Sequence, residues 1–254
     1  MLPSERPSLF ADPTDAVGET VADGVYRVLI EAILFGDLAS SQRLILQELA
    51  ERFQVSLTPV REALQRLASE GFIEATPRRG FRIRKPSPRH VTELWQVRIG
   101  LELTAGGLAV ACLKAGGAAG LVDDLQRIQQ ELDQADSLSH RRHIELNALF
   151  HQTMIEASGN RLLASVYHGI QMQLLGAWVQ RGMEDWRLRL ESESAEHRAV
   201  IAALQNHDEP ALARAIRHHL GRSLEGALAD LAAQSAEDRS INQEQSPSRE
   251  GRRS

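Results

Sequence analysis

The sequence predicts a mainly α-helical protein with two domains, an N-terminal winged helix-turn-helix and a C-terminal all-helical bundle. Two short extended runs follow a closely spaced pair of helical segments within the first 85 residues. A proline-containing segment at 85–88 then interrupts the helical pattern. Beyond it, apolar residues recur with helical spacing and give no strand signal.

Composition places this chain of 254 residues among ordinary globular proteins, with 43% hydrophobic and 25% charged residues. No apolar run approaches the roughly 20 residues that span a bilayer. The first twenty residues lack the basic start and apolar core of a secretory signal. The single cysteine, Cys112, forms neither an internal disulfide nor a thiolate metal cluster. We therefore expect a cytoplasmic protein without a membrane segment.

The charge is distributed unevenly along the chain. Residues 41–90 have a net charge of +5, whereas residues 1–40 and 91–254 each have −5. The most basic stretch contains no acidic residue and consists of Arg78, Arg79, Arg82, Arg84, Lys85 and Arg89 with their neighbours. Such a stretch is either a solvated basic loop or a surface that contacts phosphates. The elements around it favour the second interpretation.

The N-terminal elements follow a recognisable order. Residues 1–17 are predicted to be a disordered arm, and the domain covers 18–85. A first helix begins near Val21 and ends before Gly36, and a second covers 45–53. A third helix is expected to start at Pro59 with Thr58 as its N-cap and to stop at Gly71. The extended runs 72–75 and 81–84 then predict a β-hairpin, or wing, with an arginine-rich tip.

The second domain is predicted to be helical throughout. A linker at 86–90 leads to a bundle at 91–233, and a polar, disordered tail follows at 234–254. The helices are expected at 91–114, 120–135, 139–158, 160–181, 185–206 and 209–233.

The third helix and the wing have the arrangement of a DNA-reading surface. A capped helix N-terminus favours phosphate and can enter the major groove end-on. Arg61, one turn inside, would then reach bases or phosphates, although an ion pair with Glu62 is the alternative. Arg78 and Arg79 at the wing tip would contact the backbone or the adjacent minor groove.

The segment "VSLTPVREALQRLASEGFIEATPRRGFRI" at 55–83 resembles the DNA-binding domain of the GntR family of bacterial transcription regulators. This resemblance covers about residues 18–85. It implies that the DNA contacts are Ser56, Thr58, Arg61, Arg78, Arg79 and Gly80. The commonest family pattern has arginine where this chain has Leu57, so one contact is missing and the operator preference is expected to differ.

The C-terminal half resembles the FCD ligand-binding domain of the FadR-like branch of that family. The likeness rests on "LWQVRIGLELTAGGLA", "ELNALFHQTMIEASGN" and "EHRAVIAALQNHDEPALARAIRHHL". The resemblance implies that this domain binds an effector and forms the dimer.

Four polar residues of the bundle are candidate metal ligands. Asn147 and His151 are four apart and share one helix face, while His197 and His219 lie on apolar stripes of two later helices. These side chains could surround a divalent ion such as zinc, although buried core histidines are the alternative. In metal-binding members of the resembling domain these positions are the ligands, with aspartate commonest where this chain has Asn147.

Arg98 lies on an apolar stripe, where an unpaired guanidinium is costly. It either pairs with Glu102, one turn further on, or grips the carboxylate of a small organic-acid effector. The resemblance favours the second interpretation, with Arg98 and Glu102 as effector-binding residues.

Together these features predict a homodimeric DNA-binding regulator, most simply a repressor, that binds an inverted-repeat operator in double-stranded DNA. The alternative is a metal-dependent hydrolase that uses the His/Asn cluster. It is disfavoured because Glu196, the carboxylate adjoining His197, is expected to point elsewhere on its helix. A structural metal site without an effector is a second alternative. We expect no enzymatic activity.

Overall fold

The computed structural model describes residues 20–34, 37–38, 42–76, 80–85, 87–134, 139–179 and 186–244. The predicted N-terminal arm, the wing-tip residues 77–79 and the end of the predicted tail at 245–254 lie outside the described residues.

The N-terminal domain is a winged helix-turn-helix. Its helices are α1 (Val21–Leu34), α2 (Leu46–Phe53) and α3 (Leu57–Ser69). Its strands are β1 (Arg43–Leu44), β2 (Ile73–Thr76) and β3 (Gly80–Ile83), which pair antiparallel in the order β1-β3-β2. The apolar faces of the helices form one core with Ile73 and Ile83 from the sheet. The predicted hairpin is present, and β1 adds a strand that was not predicted.

Helix α3 starts two residues before the predicted position. Its N-cap is Ser56, and Thr58 and Pro59 lie inside the first turn. Proline is tolerated there because the first four N–H groups of a helix have no partner within the helix. The prediction of Thr58 as N-cap was therefore wrong.

The linker prediction was wrong at its C-terminal end. Helix α4 (Pro88–Lys114) begins inside it, because the Ser87 side chain caps the helix by accepting a hydrogen bond from the His90 N–H at 3.1 Å. Pro88 occupies the first turn, where its missing N–H costs nothing.

The bundle continues through α5 (Leu121–Leu132), α6 (His140–Ala157), α7 (Arg161–Val179), a 3₁₀ turn (Trp186–Arg189), α8 (Leu190–Gln205) and α9 (Glu209–Glu244). Helix α9 continues through residues 234–244, which were predicted to be disordered. Those residues contain no proline or glycine, and a polar sequence without helix breakers can extend an existing helix.

Helix α4 is the scaffold of the bundle and packs against α6, α7 and α9. Among the described helices it is the one long and apolar enough, by length and composition, to cross a membrane. It also carries the buried ionic side chains of Arg98 and Glu102 inside the bundle. The core helix of a globular bundle passes the same length and composition test, and α4 occupies that position here.

Candidate metal centre and nucleic-acid interface

The outer face of α3 presents the residues predicted to contact DNA. Ser56, Thr58 and Arg61 are exposed, whereas Val60 and Leu64 are buried against the rest of the domain. Thr58 and Arg61 are three residues apart and share one accessible face, and Ser56 lies at the N-terminal end of the helix. Arg78 and Arg79 lie outside the described residues.

Gly80 has a structural reason to be glycine. Its φ is +84°, and a Cβ atom there would lie 3.0 Å from the Leu44 carbonyl oxygen. Both the left-handed conformation and the close approach of β1 disfavour any side chain. Gly80 therefore allows β3 to begin beside β1, immediately after the wing tip.

The orientation of α3 is fixed by a polar clamp that joins it to α1. Arg66 of α3 contacts Asp23 at 3.2 Å and Glu70 at 3.1 Å, and its guanidinium lies 3.8 Å from the centre of the Tyr26 ring. Tyr26 donates a hydrogen bond to Glu70. The clamp occupies the side of α3 that faces α1 and leaves Arg61 outside it.

The sheet adds a cation that the sequence interpretation missed. Arg43 of β1 is paired in register with Arg82 of β3, which also lies opposite Glu74 of β2. Like charges placed opposite each other on strands are destabilising, and Glu74 on the other side of Arg82 offsets part of that repulsion. A two-residue strand has no periodic sequence signal, so this pairing was not predictable.

Three histidines converge in the bundle, as predicted. His151 of α6, His197 of α8 and His219 of α9 each offer one ligand atom, and these atoms lie within 4.8 Å of one another. The three side chains are almost completely buried, with relative exposures of 2%, 0% and 3%. Asn147, one turn before His151, is also buried, and its Oδ1 atom has no hydrogen-bond partner among the described residues.

Each imidazole is held at its Nδ1 atom by an oxygen. His151 Nδ1 lies 2.8 Å from Glu102 Oε2, and His219 Nδ1 lies 2.9 Å from Glu196 Oε2. His197 Nδ1 lies 2.8 Å from Gln129 Oε1. In the neutral rings Nδ1 therefore donates, which leaves the lone pair on Nε2.

The Nε2 atoms are placed as ligand atoms. His151 Nε2 and His219 Nε2 lie 3.2 Å apart, and His197 Nε2 is buried without a hydrogen-bond partner among the described residues. Two lone pairs at this separation repel each other unless a cation lies between them. Ligands about 2.1 Å from a metal are separated by about 3.0–3.4 Å in octahedral or tetrahedral geometry. The His151–His219 separation fits a divalent ion, and His197 offers a third nitrogen within 4.8 Å.

Glu102 lies at the centre of a buried ionic network. Arg98 Nε donates to Glu102 Oε1 at 2.6 Å, and the Tyr167 hydroxyl donates to the same oxygen at 3.2 Å. Burial alone would raise the pKa of Glu102, but His151 and Arg98 hold it well below its usual value. Burial, together with Arg98 and His219, lowers the pKa of His151 to about 4 and so keeps the ring neutral near pH 7.

Glu196 does not point away from the cluster, so that prediction was wrong. It accepts from His219 and from the Arg222 guanidinium, whose Nη2 atom lies 2.9 Å from Oε2. Burial would raise its pKa, but these two partners lower it to about 2. The two neighbouring residues have different parts in the site: His197 offers a ligand atom, and Glu196 orients His219.

Gln129 is a site residue that sequence reasoning missed. Its amide nitrogen donates to Asp133 Oδ1 at 2.7 Å and to Ser194 Oγ at 3.1 Å. These two acceptors leave the amide oxygen to face His197, so Gln129 acts only as an acceptor toward that ring. Gln129 lies four residues before Asp133, so the sequence spacing predicts their contact within α5. It does not predict the contact of Gln129 with Ser194 and His197 of α8.

A small cavity of about 50 Å³ adjoins the histidines. The polar residues around it include Asn147, His219, His143, Glu193, Arg189 and Arg222. Neither Arg98 nor Glu102 is among the described residues that line it. The intrahelical pair, left open as the alternative for Arg98, is thus the arrangement present, and the arginines beside the cavity come from the 3₁₀ turn and α9.

Comparisons with known proteins agree with this architecture. The FCD domain model matches residues 93–222, and the model of the bacterial regulatory proteins of the gntR family matches residues 21–83. The HTH-type transcriptional regulator McbR of Escherichia coli K12 is 32% identical over 147 residues, which are 58% of this chain and 62% of McbR. The HTH-type transcriptional repressor RspR of the same strain is 28% identical over 215 residues, covering 82% of this chain and 88% of RspR.

The fold also matches a solved structure. The structure of E. coli McbR/YncC superposes with a TM-score of 0.70 at 24% identity, covering 85% of this chain and 99% of that one. These relatives are regulators, and none of them supports the metal-dependent hydrolase considered as an alternative. The chain belongs to the GntR family of bacterial regulatory proteins, with an FCD domain as its C-terminal half, and is a transcriptional regulator rather than an enzyme.

Proposed function

We propose that this regulator is a homodimeric, cytoplasmic repressor whose operator affinity is controlled by a small carboxylate that binds with a divalent metal in the FCD domain. The observation that carries the proposal is the convergence of the histidine Nε2 atoms, two of them 3.2 Å apart, with every Nδ1 atom held by an oxygen.

His151, His197 and His219 would hold the ion, with Asn147 as the oxygen donor. A bound zinc or similar ion supplies a positive centre to which a carboxylate can coordinate. Glu102 orients His151, and Arg98 balances the charge of Glu102. We therefore assign Arg98 and Glu102 to the effector response through the position of His151.

The cavity supports a small effector. A cavity needs about 10–15 Å³ to hold one group the size of a water molecule. The cavity of about 50 Å³ therefore has room for about three to five such groups. This matches a carboxylate with a short carbon chain, and Arg189 and Arg222 place guanidinium groups beside it.

The DNA contacts are assigned to Ser56, Thr58 and Arg61 on α3, with Arg78 and Arg79 at the wing tip. Two copies related by a two-fold axis would present two α3 helices to an inverted repeat. Repression is supported by relatives: RspR is named a repressor, and a relative from Paenarthrobacter nicotinovorans is named a probable D-xylose utilization operon transcriptional repressor.

The metal centre is tested by comparing two neighbouring histidines. His219 is buried with its Nε2 atom in the cluster, whereas the His218 side chain is 74% exposed. After removal of metal with a chelator, we expect the wild type and His218→Ala to bind one Zn²⁺ per chain and His219→Ala to bind at least about tenfold more weakly. Equal Zn²⁺ affinity in both variants, measured by competition with an indicator, would contradict the assignment.

The effector is tested on the Zn²⁺-loaded wild type with a panel of short carboxylates. A ligand that binds the folded state raises the melting temperature in proportion to the logarithm of its concentration. A melting temperature that rises with Zn²⁺ and with no acid in the panel would favour the alternative of a purely structural metal site.

A further inference from the structure

The four side chains proposed to hold the ion are all uncharged. Three imidazoles offer nitrogen atoms, and Asn147 offers an amide oxygen that is buried without a hydrogen-bond partner among the described residues. An aspartate at position 147 would bring one negative charge into direct contact with the ion, and asparagine brings none. The charge of a dication must therefore be balanced from elsewhere.

The nearest carboxylates are already balanced by arginines. Glu102 pairs with Arg98 at 2.6 Å, and Glu196 pairs with Arg222 through two guanidinium nitrogens. Both carboxylates contact the outer Nδ1 atoms of the rings and face away from the ligand side. Each ion pair contributes no net charge, so neither compensates a dication.

Glu193 is the remaining described carboxylate beside the cavity, and it is engaged with His143. Its Oε1 atom lies 3.3 Å from His143 Nε2. One carboxylate held by another residue balances at most half of the charge of a divalent ion. Leaving the rest unbalanced in a buried site is costly, because an ion loses most of its hydration there.

A small anion in the cavity could supply the negative charge that the ligand residues lack. The cavity is lined by Asn147 and His219, two of the proposed ligand residues, and by Arg189 and Arg222. Arg189 Nη1 lies 3.1 Å from Asp230 Oδ2, and Arg222 is held by Glu196, so both guanidiniums are fixed in place. A small anion that enters the cavity would therefore meet guanidinium groups that their own carboxylate partners already hold in position.

We propose that Asn147 makes the metal centre dependent on an anion: a small carboxylate in the cavity supplies the negative charge that the ligand set lacks, so metal and carboxylate bind together more tightly than either alone. This inference rests on the proposed function, since it requires the metal centre and its carboxylate ligand. It adds that the regulator responds to metal and carboxylate bound together, and that the residue at position 147 determines how strongly each of the two raises the affinity for the other.

The test measures Zn²⁺ affinity with and without acetate, at constant ionic strength maintained with sodium perchlorate. The wild type and Asn147→Asp are compared, with protein-free blanks to correct for acetate binding to Zn²⁺. We expect acetate to raise the Zn²⁺ affinity of the wild type about tenfold or more. We expect Asn147→Asp to bind Zn²⁺ more tightly than the wild type without acetate and to respond to acetate less than about twofold.

A second measurement uses only the wild-type protein and does not depend on the variant folding. Because coupling between two ligands is reciprocal, Zn²⁺ should raise acetate affinity by the same factor by which acetate raises Zn²⁺ affinity. Wild-type Zn²⁺ affinity that is independent of acetate would overturn this inference and leave the proposed metal centre intact. Failure to bind Zn²⁺ under every condition would overturn both.

Discussion

Gln129 of α5 orients the imidazole of His197 on the neighbouring helix α8 through a single hydrogen bond. Its amide nitrogen is held by Asp133 and Ser194, so its oxygen accepts from His197 Nδ1. This fixes the ring with Nε2 toward the cluster. Because an imidazole that loses such a partner can rotate or change tautomer, residues that orient ligands strongly affect metal affinity.

We predict that Gln129→Leu lowers Zn²⁺ affinity by about 10- to 100-fold, because the His197 ring loses its only described Nδ1 partner. Gln129→Glu keeps an acceptor at that position and should retain most of the affinity. Gln152→Leu serves as the control, since the Gln152 amide bonds to exposed Glu156. Indicator competition measures the affinity, and the visible spectrum of the Co²⁺ form reports ligand geometry. Wild-type values for Gln129→Leu would show that Gln129 does not position His197.

The ligands were more predictable than the residues that orient them. Asn147 and His151 share a face by their spacing, and His197 and His219 follow apolar stripes, so burial of all four follows from helical periodicity. The contacts of Gln129 with α8 and of Glu196 with α9 depend on how the helices are rotated against one another. No local pattern carries that information.

The two sides of helix α3 differ: one contacts α1 and the other is exposed. Arg66 contacts Asp23 and Tyr26 of α1, while Arg61 lies on the exposed face with Thr58. The clamp joins α3 to α1 on one side, and the other side remains accessible for the proposed DNA contacts.

Arg61→Ala is expected to weaken specific operator binding by about 1–3 kcal/mol, or 5- to 150-fold, at matched salt. The substitution lies on the exposed face of α3, so oligomeric state and melting temperature should not change. Arg127→Ala removes the same charge from an exposed position in the bundle, at 69% exposure, and serves as the control. Fluorescence anisotropy with a labelled operator measures the affinity. If both variants weaken binding equally, net charge rather than a contact at Arg61 is responsible.

Element types could be predicted more reliably than their boundaries. The winged helix-turn-helix and the helical bundle follow from periodicity, caps and the hairpin signal. Strand β1 could not be found because it consists of two residues and exists through its pairing with β3, which is distant in sequence. The observed start of α3 differs from the predicted one because Ser56, Thr58 and Pro59 are all acceptable near a helix N-terminus. The sequence alone does not show which of them caps the helix.

On the scale of the whole molecule, the helix that carries His151 also touches the DNA-binding domain. Arg141 at the start of α6 lies 3.6 Å from Glu31 of α1, and α1 also contacts α7. His140 and His143, on either side of Arg141, line the cavity. An exposed ion pair of this kind contributes little stability on its own. It nevertheless shows that α6, which carries His151, contacts the domain that bears α3.

We propose that metal and acid bound in the helical bundle lower the affinity for operator DNA, and a comparison of operator affinity with and without them tests this. The operator is first located by footprinting upstream of the protein's own gene, and its affinity is then measured at fixed salt. For the chelator-treated protein and for protein with Zn²⁺ and an acid selected by thermal shift, we expect operator affinities that differ by about 5- to 150-fold, with the loaded form weaker. Equal operator affinity in the two states, or no binding to any duplex at low salt, would contradict it.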